Sequence, residues 1–253
     1  MLRLAETKNV VFALSDAQDI VGPSAKNIVR GLVKKKWVLR LKRGLYVIVP
    51  LDMGLEGADA FLMHEFVIAS FLTKSYYIAY WSALNHHGLT DQIPRTVFVA
   101  TTTPKHPLHV LNTEYRFVKL SSRKFFGWEE TEIESREVRI SDGEKTVVDC
   151  LDHPENCGGI EQIAMSIYFY HVELDFERVV QHARKMGNAT ILKRLGYILE
   201  NLDMMREYGD YLTGFIPTKG YPKLDPLSPR RGKHDSQWNL LVNCRLDPEG
   251  WMY

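Results

Sequence analysis

The sequence predicts an α+β protein in which an N-terminal winged helix-turn-helix precedes a larger domain of mixed helices and strands. Helical patterns and capping residues come before two short apolar runs in the first 50 residues, which is the element order of a winged helix. The later helical and strand-like segments occur in blocks, a pattern typical of α+β domains. Charge is divided in the same way. Residues 1–50 hold ten Lys/Arg and three Asp/Glu, a net charge of +7, and the remainder carries −6.

This uneven charge favours a basic module that faces a polyanion, joined to a domain with another task. Hydrophobic residues make up 45% of the 253 residues and charged residues 25%, so extensive disorder is not expected. The three cysteines form no C-x-x-C pair, which predicts free thiols in a reducing cytoplasm. Glu6 argues against a signal peptide. The most apolar window, residues 61–81, contains His64, Glu65 and Lys74, and predicts a buried helix rather than a membrane span.

The first two helices are predicted from the spacing of apolar residues. The buried face of the first would carry Val10, Val11 and Leu14. Ser15 is expected to cap the second, a short helix whose Ile20 and Val21 point inward and which ends at Gly22. Three helices before the hairpin would complete the helical part of a winged helix.

Ser24, placed directly after a proline, is predicted to cap the third helix. Its packed stripe is expected to contain Ile28, Val29, Leu32 and Val33. After Trp37, the runs "VLRL" and "LYVIV" predict two strands, with Gly44 in the turn between them. This hairpin would be the wing.

The third helix and the wing carry the candidate DNA contacts. In a helix-turn-helix the N-terminal half of the third helix enters the major groove, so Lys26, Asn27 and Arg30 are expected to reach base edges. Arg and Asn bind guanine and adenine edges with two hydrogen bonds each. Contacts to phosphate are predicted for Ser24, Lys34, Lys35, Lys42 and Arg43. The alternative is a solvated charged helix and hairpin that bind nothing.

The Pro- and Gly-containing stretch "PLDMGLEGAD" predicts a domain boundary. We assign residues 1–52 to the DNA-binding domain, 53–59 to a linker and 60–253 to the second domain. Within that domain, helices are predicted for "AFLMHEFVIASFL", "AYWSALNHHG", "EKTVVDCLD", "IEQIAMSIYFYHV", "DFERVVQHARKMG" and "ATILKRLGYILENL", and strands for "TVFVATTT", "YRFVKL", "TEIESREVRIS" and "WNLLVN". The segment "IPTKGYPKLDPLSPRRGKHD" is expected to be a surface loop or a partly mobile C-terminal arm.

No pattern in the sequence calls for a metal or a cofactor. Cys150, Asp152, His153 and Cys157 lie close together, but no second ligand pair follows, and a helix-ending turn explains them as well. No phosphate-binding, dinucleotide-binding or hydrolase motif occurs. Six clustered aromatic residues would either pack in the core or present a stacking or partner surface; they are Phe125, Phe126, Trp128, Tyr168, Phe169 and Tyr170.

Two alternatives to a non-enzymatic regulator stay open. In the first, the second domain is a metal-dependent nuclease that the winged helix delivers to nucleic acid. Its candidate carboxylates are Asp142, Glu144, Asp149 and Glu161. Lys145 lies four residues before Asp149 on a predicted helix, so a structural ion pair accounts for that carboxylate equally well. In the second alternative, the second domain senses a small molecule.

Four stretches together carry a resemblance to a known family: "LKRGLYVIVP", "YYIAYWSALNHHGLTDQIPRTVFVAT", "GEKTVVDCLDHPENCGGIEQIA" and "YPKLDPLSPRRGKHDSQWNLLVN". They resemble the AbiEi antitoxin family of abortive-infection toxin–antitoxin systems, whose members are also regarded as transcriptional regulators of viral defence. The resemblance spans nearly the whole chain. The R-G-L-Y wing also occurs in other winged helices, whereas the block "YWSALNHHGLT" is distinctive.

The resemblance implies an N-terminal winged helix-turn-helix and a C-terminal antitoxin domain. It implies a repressor that binds operator DNA near its own promoter, and an antitoxin that opposes a cognate nucleotidyltransferase-like toxin encoded beside it. The positions that carry over are Lys26, Asn27, Arg30, Lys42 and Arg43. The resemblance supplies no catalytic residue, metal or cofactor, so we expect a non-enzymatic cytoplasmic protein with no membrane partner.

Overall fold

The computed structural model describes residues 11–50 and 63–252 and has a mixed α+β fold, as predicted. The N-terminal part contains, in order, β1 (Val11–Ala13), α1 (Leu14–Val21), a 3-10 turn (Gly22–Ser24), α2 (Ala25–Lys34), β2 (Val38–Lys42) and β3 (Leu45–Ile48). β3 lies between β1 and β2 and is antiparallel to both. Gly44, with a φ of 78°, makes the tight turn of the β2–β3 hairpin.

The start of this region differs from the prediction. Val11 lies in a strand rather than in a first helix, because β1 pairs with β3 along its whole length. Ser15 lies inside α1 and does not cap it. The capping position belongs to Ala13, whose backbone N–H donates to the carboxylate of Asp16 at 2.8 Å. Val10 lies outside the described residues.

A small core joins α1 and α2 to the sheet. Its buried members are Phe12, Ala17, Ala25, Val29, Val38 and Ile48. The predicted buried stripe of α2 is confirmed for Val29. The prediction for Ile28 is wrong, because 44% of that residue is exposed. Val21, which was expected to point inward, is exposed to the same extent. The small side chains of Ala17 and Ala25 are buried instead, and they turn the neighbouring larger residues outward.

The second part is built around a six-stranded mixed sheet. Its elements are α3 (Glu65–Leu72), β4 (Tyr77–Ile78), α4 (Tyr80–His86), β5 (Thr96–Thr101), β6 (Leu108–Val110), β7 (Thr113–Lys119), β8 (Trp128–Ile133), β9 (Arg136–Ser141), α5 (Gly143–Asp152), α6 (Ile160–Tyr170), α7 (Phe176–Met186), α8 (Ala189–Asn201), α9 (Met205–Tyr208), β10 (Lys233–Asp235) and β11 (Leu240–Val242). The sheet order is β6-β7-β5-β4-β9-β8, and β10 pairs separately with β11.

Every helix and strand predicted for the second part has a counterpart in this order, although the bounds differ. Most elements are shorter than predicted, but β7 begins two residues earlier, and the single predicted strand "TEIESREVRIS" is instead the hairpin of β8 and β9. The strands that the sequence did not predict are β4, β6 and β10, which are two or three residues long and therefore show no alternating pattern. β4 matters most, because it lies at the centre of the sheet between β5 and β9.

Two large cores lie on the two faces of the sheet. The larger one packs helices α4 to α8 against β4 and β5. The other lies under α3 and includes Leu41 and Val47 of the N-terminal hairpin together with Phe66 and Ile68 of α3. The N-terminal part therefore shares a core with the second part. The predicted linker, residues 53–59, lies outside the described residues.

The segment expected to be a mobile arm is anchored to the body of the protein. Leu224 is fully buried. The side-chain amide of Asn243 donates to the backbone carbonyl of Asp225 at 2.8 Å, and its oxygen accepts from the backbone N–H of Asp225 at 3.0 Å.

Among the residues in the described ranges, no helix is long and apolar enough to cross a bilayer.

Gly196 in α8 provides a test of this packing. A Cβ at this position would lie 2.1 Å from the ring of Trp238, whose indole N–H donates to Glu200 at 2.6 Å. We expect Gly196→Ala to lower the free energy of unfolding by about 1–3 kcal/mol, because overpacking outweighs the gain of about 1 kcal/mol in helix propensity.

Gly31→Ala is the matched control, because Gly31 also lies inside a helix but has no neighbouring atom within 4 Å of the point that a Cβ would occupy. It should raise the free energy of unfolding by about 0.5–1 kcal/mol. Urea titrations followed by circular dichroism measure both changes, and a more stable Gly196→Ala protein would contradict this account of α8.

Candidate nucleic-acid interface

One side of α2 is exposed and carries the predicted DNA-contacting side chains. We call it the cationic face and define it by Lys26, Asn27, Arg30, Lys34 and Lys35, all of which are exposed. The four cations of this face form no ion pair with any residue in the described ranges. The face exists because Ala25 and Val29 hold the opposite side of α2 against β2 and β3.

Three further residues of this surface were not predicted. Gly31 lies between Arg30 and Lys34, so the helix backbone is bare at the middle of the cationic face. Ile28 and Trp37 present apolar groups beside it, with 44% and 37% exposure. A glycine inside a helix is a signal for close approach of another backbone, and that signal was available in the sequence.

The N-terminal end of α2 follows the 3-10 turn. Ser24 occupies the capping position, but its side chain makes no capping hydrogen bond, which corrects the predicted cap. The reason is its helical backbone conformation, with φ −74° and ψ −9°, whereas a capping residue is normally extended. The exposed Ser24 hydroxyl is left uncommitted at the positive end of the helix dipole.

The hairpin divides its cations between two roles. Arg43 is exposed at the turn. The side chain of Lys42, predicted to contact phosphate, instead donates hydrogen bonds of 2.9 Å to the backbone carbonyls of Phe71 and Leu72. These carbonyls end α3, where the helix dipole favours a cation. Lys42 therefore connects the hairpin to the second part, whereas Arg43 and Arg40, which lies on β2, are exposed cations of the hairpin.

Lys105, from the loop between β5 and β6, reaches the same place. Its ammonium group also donates to the carbonyl of Leu72. Burial, assisted by the charge of Lys42, lowers the pKa of Lys105 to about 8, and burial also lowers the pKa of Lys42. Lys42 and Lys105, from different parts of the chain, therefore both bind the C-terminal end of α3. The contact from Lys42 connects the N-terminal sheet to that helix.

The carboxylates considered for a nuclease are held apart in structural contacts. The predicted pair of Lys145 and Asp149 is confirmed, and both side chains are fully buried. Tyr77 completes it, because its hydroxyl donates to Asp149 at 3.0 Å and accepts from Lys145 at 2.9 Å. Burial raises the pKa of the Asp149 carboxyl, and the charge of Lys145 opposes that shift. The sequence indicated the pair but not its complete burial.

Asp142 caps α5 through the backbone N–H of Lys145 and accepts from Arg178 at 2.7 Å. Burial pushes the pKa of Asp142 up, but the contacts with His182, Lys145 and Arg178 hold it below its usual value. Arg178 also lies 3.6 Å from Glu144, and Glu161 accepts from the indole N–H of Trp251 at 3.0 Å.

The cysteine segment forms the helix-ending turn that was the alternative to a metal site. Cys150 and Cys157 are fully buried, and the Cys157 thiol donates to the carbonyl of Pro154 at 3.3 Å. His153 pairs with Glu155 at 3.0 Å, which raises the pKa of the imidazole. Across residues 11–50 and 63–252, no group of three or more His, Cys, Asp or Glu residues could hold a metal ion.

Comparison with known proteins finds a similar fold but indicates no activity. No protein-family model matches the chain, and no curated protein matches it. The fold is similar to that in the crystal structure of the RV2827C protein from Mycobacterium tuberculosis, with a TM-score of 0.66 and 14% sequence identity over 94% of this chain and 87% of that one. At this identity the similarity shows a shared fold alone.

Lys42 can be tested separately from the cationic face. We expect Lys42→Ala to lower the free energy of unfolding by about 1–2 kcal/mol, because two carbonyls at the end of α3 lose a charged donor. Lys34→Ala is the control: its exposed side chain makes no ion pair with described residues, so the change should stay within about 0.5 kcal/mol. Denaturant titrations measure both. Equal effects would contradict the role given to Lys42.

Proposed function

We propose that this chain is a DNA-binding transcriptional repressor and antitoxin of a toxin–antitoxin system. In this proposal α1, the 3-10 turn, α2 and the β2–β3 hairpin act as a winged helix-turn-helix on operator DNA. The single observation that carries the DNA-binding half is the cationic face, whose cations are exposed and unpaired among the described residues, with Arg43 on the adjoining hairpin. Residues 11–50 hold eight Lys/Arg and two Asp, a net charge of +6.

The side chains of the cationic face would divide the recognition between bases and backbone. α2 would enter the major groove, where Arg30 and Asn27 can each bind a base edge with two hydrogen bonds. Ile28 can contact a thymine methyl group. The absence of a side chain at Gly31 lets the helix lie close to the floor of the groove. Lys34, Lys35 and Arg43 would neutralise phosphates, and Ser24 would donate to one.

The antitoxin half rests on the resemblance of the sequence to the AbiEi family. In this proposal the second part opposes a nucleotidyltransferase-like toxin, and operator binding represses the operon that encodes both proteins. The shared core and Lys42 support a coupled action, because their contacts join the hairpin to α3 of the second part.

The nuclease alternative gains no support from the carboxylates, since each has a partner within the chain. The ligand-sensing alternative is favoured by one specific observation, a cavity beside α6 that is lined by aromatic and hydrogen-bond-accepting groups. Such a sensor could still be a repressor.

DNA binding can be measured by fluorescence anisotropy with duplex from upstream of the coding region. Arg30→Ala should weaken binding by about 1–3 kcal/mol and relax discrimination at one base pair. Arg43→Ala should weaken binding to all duplexes equally. It should also reduce the slope of log affinity against log salt concentration by about one unit. Arg206→Ala is the matched control, an exposed arginine on α9. If both variants bind as wild type does, the proposed interface is wrong.

The antitoxin half can be tested by co-expression with the nucleotidyltransferase-like protein encoded beside this chain. We expect wild type to restore growth to cells that express that protein. The double variant Arg30→Ala/Arg43→Ala, which should lose operator binding, is expected to restore growth equally from an unrelated promoter, because neutralisation in this proposal belongs to the second part. Absence of rescue by wild type would refute the antitoxin half and leave DNA binding untouched.

A further inference from the structure

A cavity of about 520 Å³ lies between α6, the loop after α4 and a C-terminal 3-10 turn (Pro248–Met252). Its volume is in the range of small-molecule sites. One face of α6 forms a wall with residues at helical spacing: Gln162, Met165, Ser166 and Phe169. Leu89, Thr90, Asp91 and Gln92 of the loop after α4 also line the cavity, together with Tyr170 and Trp251.

Three aromatic rings line this cavity, and one of them is far more exposed than core packing requires. Phe169 is 45% exposed although it lies on a helix of the main core. The indole of Trp251 is oriented by its hydrogen bond to Glu161 and by an edge contact with Tyr168, at 5.9 Å between ring centroids. Rings held in fixed positions around a space provide faces to which a cation is attracted.

The polar groups of the cavity mainly accept hydrogen bonds. Gln162, only 7% exposed, donates through its side-chain nitrogen to Thr90 at 3.1 Å, which leaves its side-chain oxygen as an acceptor. The Ser166 hydroxyl donates to the backbone carbonyl of Gln162 at 3.0 Å, so its oxygen can still accept a hydrogen bond. Asp91 accepts from Tyr170 at 3.4 Å through one carboxylate oxygen and presents the other. An occupant should therefore be a donor.

The lining of the cavity carries a negative charge. The lining contains Asp91 and no Lys, Arg or His. Partial burial raises the pKa of Tyr170, and the charges that add to the shift are the carboxylates of Asp91 and Glu173. Glu161 lies beside Trp251. Rings, acceptors and carboxylates around one space all favour the same chemical class of occupant.

We propose that this cavity binds an organic cation with a guanidinium or primary amine group on a short aliphatic chain. The charged group would lie between Asp91, the oxygen of Gln162 and the rings of Phe169 and Trp251, and the chain would lie along Met165 and Leu89. The proposal goes beyond the proposed function, because neither the DNA contacts nor the antitoxin role depends on it.

Binding can be measured by calorimetry on the full chain, with butylguanidinium and butylamine as cationic probes. Butylurea has nearly the same shape without the charge, and butyrate has the opposite charge. A second arm compares N-acetylarginine amide with N-acetylcitrulline amide, which distinguishes a free small cation from an arginine side chain. We expect each cationic probe that binds to do so at least about tenfold more tightly than its neutral counterpart.

Variants connect the binding to the cavity. Asp91→Asn keeps the shape of the side chain and removes its charge, and Phe169→Ala removes an exposed ring. Each substitution should weaken the affinity for the cationic probe by at least about tenfold. Glu132→Gln, the same charge change at an exposed position on β8, should leave binding unchanged. Thermal unfolding establishes that the variants are folded. The proposal would be overturned if Asp91→Asn left the affinity for the cation unchanged, or if the neutral probes bound as tightly as the cations. It would also be overturned if no cationic probe bound at 10 mM; a dissociation constant of that size corresponds to about 2.7 kcal/mol of binding free energy.

Discussion

The ammonium group of Lys42 lies at the C-terminal end of α3, and the position of the N-terminal part depends on that contact. The two carbonyls that it binds are ones that a helix leaves unpaired, and the helix dipole adds to their attraction for a cation. Leu41 and Val47 lie in the same core as α3, so apolar burial acts at the same place. Together they seat β2 and β3 on the second part.

This seating determines which side of the N-terminal part faces solvent. The hairpin has one surface on α3 and the other on α1 and α2, because Val38 and Ile48 belong to the small N-terminal core whereas Leu41 and Val47 belong to the shared one. α2 consequently lies on the far side of the sheet from the second part. The cationic face is therefore outward and accessible, which is the geometry that the proposed DNA contact needs.

The second part uses charge in its interior for a different purpose. Lys145, Asp149 and Tyr77 satisfy one another in a region with no access to water, at the point where α5 packs on the central strand β4. Removing one partner of such a pair usually costs about 3–5 kcal/mol, because the other charge stays buried. We interpret this cluster as part of the framework.

The sequence by itself determined the α+β class, the order of nearly all helices and strands, the exposed cations of α2 and the pairing of Lys145 with Asp149, because these follow from periodicity and local spacing. Only the tertiary structure decided the rest. Lys42 and Arg43 are adjacent basic residues of one hairpin, yet one binds a helix end about 30 residues away in the chain and the other faces solvent. Ile28 is exposed because alanines fill the helix contact, and β4 is too short to show a pattern. Such outcomes depend on contacts between distant segments, which local spacing does not encode.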